Sequence, residues 1–142
     1  YGNISADSFE IAQNAAIHLD SGNLELSRLT SEQLTLSNEY GNCTINETNA
    51  ANSSITMDSG VLKLYKATLG DTDIHNEYGN ITLNLANDVS DYNYDLEAEY
   101  GSIKVDGKNM GADDDGETYY QKDNGKKDSI CITCESGNID IH

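Results

Sequence analysis

The feature that most restricts how this chain folds is a glycine that returns with an alternating apolar pair behind it, at Gly2, Gly22, Gly41, Gly60, Gly79, Gly101 and Gly137. The steps between these glycines are 20, 19, 19, 19, 22 and 36 residues. A nearly fixed period marks a chain of repeated units, each leaving an apolar face for its neighbours to cover. Two copies are almost identical, "NEYGNCTI" from Asn38 and "NEYGNITL" from Asn76.

In each copy the apolar residues stand two and four places after the glycine, as in Leu24 and Leu26, Leu62 and Leu64, or Ile139 and Ile141. Period two is the signature of a half-buried strand. A second alternating stretch precedes the glycine, with Leu34 and Leu36, Ile55 and Met57, and Ile130, Ile132 and Cys134 as inward residues. These inward residues lie at odd distances before the glycine, whereas those of the next strand lie at even distances after it. A straight strand cannot change parity, so the chain must bend or bulge at the step D/E-Y/S-G-N. Glycine permits the crowded backbone of such a corner, and the Asn that usually follows can bond locally or stack on the Asn of a neighbouring copy.

The residue before glycine alternates as Tyr1, Ser21, Tyr40, Ser59, Tyr78, then continues as Tyr100 and Ser136. Two stackings fit this, one stepping every nineteen residues and one every thirty-eight, which would set Tyr40 directly on Tyr78. Either predicts an all-β chain, a single-stranded β-solenoid (β-helix-like) with coils of about 19 residues. An antiparallel meander would call for Asn-Gly or Asp-Gly hairpins, and most copies instead carry Tyr or Ser before the glycine. The 142 residues suit one domain, 1–142, with 107–128 as a polar loop insert, either an exposed loop or a hairpin flap, before "ICITCESGNIDIH" resumes the repeat. Beginning in mid-motif at "YGNI" predicts a trimmed piece of a longer chain, whose first coil has no cap.

Charge narrows the partners. With 25 acidic and 8 basic residues the net charge is -17, which repels nucleic acid and anionic membrane surfaces. Residues 107–128 hold six acidic and four basic residues, so most of the excess sits on the repeats. No run is long and apolar enough to be a transmembrane segment; any tether to a membrane would lie in regions outside the sequence. Three cysteines, Cys43, Cys131 and Cys134, are not a disulfide framework, and the C-x-x-C lies in a strand pattern rather than at a helix start, where a redox thiol is acidified. No glycine-rich nucleotide motif is present.

Candidate chemistry is sparse. Asp113, Asp114 and Asp115 offer oxygen ligands to calcium, a weak candidate site without the spacing of an EF-hand, and no other cofactor is expected. Paired carboxylates of a polysaccharide-active β-helix enzyme would have to come from the outward acids Glu25, Glu39, Glu77, Glu97, Glu99, Glu135 and Asp140, and nothing singles out two of them. His18 and His75 sit outward without a triad. Tyr119 and Tyr120 either pack back on the repeats or offer contact area to a partner. Sequons at Asn3, Asn42, Asn46, Asn52 and Asn80 follow from the corner composition.

The recurrent units D-S-G-x-[ILV]-x-[ILV] and E-Y-G-[NS]-[ILV], ending in "SGNIDI" at Ser136 to Ile141, resemble the DUF4097 group of bacterial β-strand repeat proteins that carry the label adhesin. The resemblance covers nearly the whole chain. It implies a β-helix-like domain of an exported or membrane-anchored protein, extracellular or at the cell surface of the bacterial envelope, with no catalytic residues to carry over. The expectation is a non-catalytic structural or interaction module whose partner is a protein or cell-surface glycan. An envelope sensor binding a peptide or cell-wall fragment is the alternative, ahead of the polysaccharide-active enzyme.

Overall fold

The computed structural model describes residues 2–114 and 116–142. The alternating segments form strands as their pattern dictates. Short strands follow the glycines: β1 (Ile4–Ala6), β4 (Leu24–Leu26), β6 (Cys43–Ile45), β9 (Ile81–Leu85), β11 (Ile103–Val105) and β16 (Ile139–Ile141). Longer strands precede them: β3 (Asn14–Ser21), β5 (Leu29–Tyr40), β7 (Thr48–Ser59), β10 (Asn93–Tyr100) and β15 (Ser129–Ser136). β8 (Leu62–Tyr78) runs through both sets and β2 (Phe9–Glu10) is a short extra pair. The helical content among described residues is one 3-10 turn, Val89–Asp91, capped by Asp88, whose carboxylate accepts from the Ser90 N–H at 2.8 Å.

Neighbouring units pair in parallel, and like stands beside like. In the short ladder Ile4, Leu24, Cys43, Leu62 and Ile81 follow one another in register, and Ile139 and Ile103 extend the column. In the long ladder the column runs Ile17, Leu36, Ile55, Ile74, Ile132, Leu96. The inward residues of both ladders join in one hydrophobic cluster, and each fully buried Leu or Ile contributes roughly 1.5–3 kcal/mol. Pairing steps by nineteen residues over the first units, so Tyr40 lies between Ser21 and Ser59; the thirty-eight-residue stacking is not the one adopted.

The expected β-solenoid is overturned. The strands belong to one sixteen-stranded sheet whose path runs from β12 (Lys108–Met110) at one end to β13 (Ala112–Asp114) at the other, neither closed nor strongly curled. Its strands also depart from chain order. The last unit, β15 and β16, lies between β8–β9 and β10–β11, so the chain does not wind progressively from one end to the other. Within the polar insert at 107–128, β12 pairs antiparallel with β11, and β14 (Glu117–Lys122) pairs antiparallel with both β10 and β13, the pairing of a hairpin flap. These hairpins cover one edge of the stack. At the opposite edge, among the described residues, β1 pairs only with β4, and Ile4, expected inward, is 37% exposed.

Candidate functional site

The outward face of the long ladder carries the densest functional chemistry. Strand alternation sends every second residue outward, and in-register parallel pairing lines equivalent residues into rows across the strands. Leu19 pairs with Asn38 and Ser21 with Tyr40, which sets Asp20 beside Glu39. The same steps continue the row through Asp58, Glu77, Glu135 and Glu99. Every strand of the ladder thus contributes one carboxylate to a single acidic row. The matching row of the short ladder, Glu25, Thr44, Lys63, Thr82, Asp140 and Lys104, mixes both signs.

Beside the acids runs the corner row: Ser21, Tyr40, Ser59, Tyr78, Ser136, Tyr100. In chain order the alternation fails after Tyr78. In space it is perfect, because the last unit places Ser136 between Tyr78 and Tyr100. The three rings are 61%, 58% and 67% exposed.

Glycine and asparagine hold these rows level. A Cβ on Gly60 would lie 2.0 Å from the Gly41 carbonyl oxygen, and the same close approach recurs at Gly22, Gly41, Gly79, Gly101 and Gly137. Backbone at the corner thus rests directly on backbone, with φ of +139° at Gly60. The following Asn side chains stack as expected: Asn3 Oδ1 accepts from Asn23 N, Asn23 Oδ1 from Asn42 N, and Asn42 Oδ1 from Val61 N, at 2.9, 2.9 and 3.0 Å. The ladder resumes with Asn80 accepting from Asn138 N at 2.9 Å and Asn138 from Ser102 N at 3.0 Å. Inside the corner, buried Asn38 and Asn76 donate to the carbonyls of Gly22 and Gly60 at 3.2 and 3.4 Å.

One cluster in the acidic face has the composition of a metal site. His75, Glu77 and Glu135 are each half-buried, and their ligand atoms all lie within 4.8 Å of one another. His75 and Glu77 are two apart on β8, hence on one face. Glu135 arrives from β15, fifty-eight residues along the chain from Glu77. Sequence reasoning placed His75 and both acids outward but did not bring them together, because it took the units to stack in chain order. The signal was the Tyr/Ser alternation, which calls for a Ser corner after Tyr78 and finds it at Ser136.

The expected calcium ligands fall outside the described side chains. Asp113 and Asp114 belong to β13 by their backbone; their side chains, and all of Asp115, lie outside the described residues. Tyr120 packs against the core with its ring 6.3 Å from that of Tyr94, whereas Tyr119 is 48% exposed. A hydrogen bond with Asp95 raises the Tyr119 hydroxyl above its usual pKa. Cys43 and Cys134 are buried and Cys131 is exposed, all three as free thiols. Burial pushes the Cys134 thiol up to about 11 and raises that of Cys43, against an opposing hydrogen bond from Asn38.

Among the described residues, no helix is long and apolar enough to cross a membrane. A protein-family model described as Toastrack DUF4097 matches residues 1–142. No curated protein and no solved structure matches the chain.

Proposed function

The chain belongs to the Toastrack DUF4097 family, and from that membership we propose a non-catalytic interaction module, adhesive in function and displayed at the bacterial cell surface, that docks a cationic protein segment on its acid–tyrosine face. The observation that carries this reading is the alternation of exposed Tyr40, Tyr78 and Tyr100 along an unbroken row of carboxylates. Tyrosine supplies rigid contact area with few rotors to immobilise, and its ring face attracts lysine and arginine. The acids beside it steer a cationic partner and set its register. The same acids support a non-catalytic role, since they stand on an open strand face rather than beneath a groove.

Binding of an oligolysine peptide to the intact chain, followed calorimetrically across salt concentrations, tests the reading. Affinity should fall as salt rises, because exposed charges are screened within about 10 Å at 0.1 M ionic strength. Replacing Tyr40, Tyr78 and Tyr100 together by Ser should weaken binding by more than about tenfold, the loss expected of aromatic anchors, with the melting temperature unchanged. Absence of binding by the native chain, or equal binding by the triple variant, would defeat it.

A further inference from the structure

We infer that His75, Glu77 and Glu135 bind a divalent first-row transition-metal ion of the zinc class. The three side chains offer one imidazole nitrogen and two carboxylate oxygens, converging within 4.8 Å from two adjacent strands. Closing on an ion with metal–ligand distances of about 2.0–2.2 Å asks each donor to move by on the order of an ångström, within reach of half-exposed side chains. Water completes the coordination from the open side. An imidazole donor selects against calcium and magnesium, which take oxygen ligands, and for the zinc, nickel and copper group.

Two comparisons within the chain set this cluster apart from an ordinary acidic surface. His18 and His142 also stand two residues from an acid, and there the imidazole closes directly on the carboxylate, on Asp20 at 2.9 Å and Asp140 at 3.1 Å. His75 does not close on Glu77 or Glu135 in an ion pair, although the three ligand atoms lie within 4.8 Å of one another. The second comparison is of charge. Glu77 and Glu135 lie side by side in a row continued by Asp58 and Glu99. The rows across the next outward positions, Ser37, Thr56, His75, Thr133 and Glu97, then Thr35, Ser54, Asp73, Cys131 and Asp95, contain no lysine or arginine. Half-buried, uncompensated carboxylates attract a cation more strongly than fully solvated ones, and a divalent ion relieves their repulsion.

Titration of zinc chloride into the intact 142-residue chain by calorimetry, with cobalt(II) absorption as a second readout, tests the site. One saturable site is expected, weakening as pH falls, because the ligands bind a metal only in their deprotonated forms. His75→Ala and Glu135→Gln should each lower the affinity by at least about tenfold, the effect of losing a ligand or its support. His18→Ala and Cys131→Ser should leave it unchanged, and excess calcium should not displace the ion. The absence of saturable binding, equal binding by His75→Ala, or displacement by calcium would each overturn the assignment. Since the substitutions lie on the outward face, unchanged circular dichroism melts would separate lost ligation from lost fold.

Discussion

Individual residues carry consequences that depend on their row. Gly60 and Gly2 share a positive φ, +139° and +126°, yet a Cβ on Gly60 would meet the Gly41 carbonyl oxygen at 2.0 Å while one on Gly2 meets nothing within 4 Å. Gly60→Ala must therefore separate two units of the stack, whereas Gly2→Ala carries backbone strain alone. Urea denaturation should show a loss of more than about 3 kcal/mol for Gly60→Ala and about 1 kcal/mol for Gly2→Ala. Equal losses would mean that strain, and not the stacking of backbone on backbone, makes the corner glycine necessary. Cys134 adds a pH dependence. Burial raises its thiol from 9.0 to about 11, so between these values the folded chain holds a proton that the unfolded chain releases. The associated stability is present below pH 9 and is lost as pH rises through 11, a fall on the order of 2 kcal/mol. Burial raises the hydroxyls of Tyr92 and Tyr94 and acts in the same direction. Melting temperature should drop across this range in the native chain, with a shallower slope in Cys134→Ala.

Between strands, the asparagine ladder has one gap that the sequence itself explains. Val61 stands where the other units carry Asn or Ser, so the Asn80 N–H lacks the side-chain acceptor that Asn23, Asn42, Val61, Asn138 and Ser102 each receive. Val61→Asn should complete the ladder and stabilise the fold by about 0.5–1 kcal/mol, the net value of one such hydrogen bond. Asn42→Ala, which strands the Val61 N–H, should cost a similar amount; chemical denaturation of the two variants measures both signs. Much at this scale was legible beforehand. The two-residue period located the inward positions from Leu24 to Ile141, and the change of parity at glycine located the corners, because a strand's alternation is written directly into the order of its residues. Strands β12 to β14 were legible only as one of two forms, a hairpin flap, without bounds or partners. Lys108–Met110 and Glu117–Lys122 form edge hairpins, held largely by backbone pairing to β11 and β10, and backbone pairing leaves little apolar pattern in the sequence.

For the whole molecule, the decisive fact is that the last unit is not at the end. A periodic sequence specifies what each unit buries but not which unit is its neighbour, and any two units with like columns can pair. The pairing of Gly79 with Gly137 rather than Gly101 spans fifty-eight residues, and only the Tyr/Ser alternation hints at it. This order makes the acidic row continuous through Glu77, Glu135 and Glu99, brings Glu135 to His75, and closes the tyrosine alternation; the candidate sites are products of topology rather than of any local motif. It also changes what removal of the C-terminal segment should do. In a progressive stack, deleting the last unit would shorten one end and leave the remainder paired. Here residues 129–142 separate β8–β9 from β10–β11, so their loss removes Ile130, Ile132, Ile139 and Ile141 from the core and leaves two facing edges with no partner between them. Re-pairing of those edges would set Tyr100 directly on Tyr78 and Glu99 on Glu77, without the Ser row that now separates the rings. Calorimetry on the chain ending at Asp128 should therefore show the cooperative melt lost, or lowered by more than about 10 °C, with hydrogen exchange accelerated in β8 and β10 alike. A shortened chain that melts near the native temperature with both strands protected would mean that β8 and β10 pair directly, and that the order of units is not fixed by the sequence.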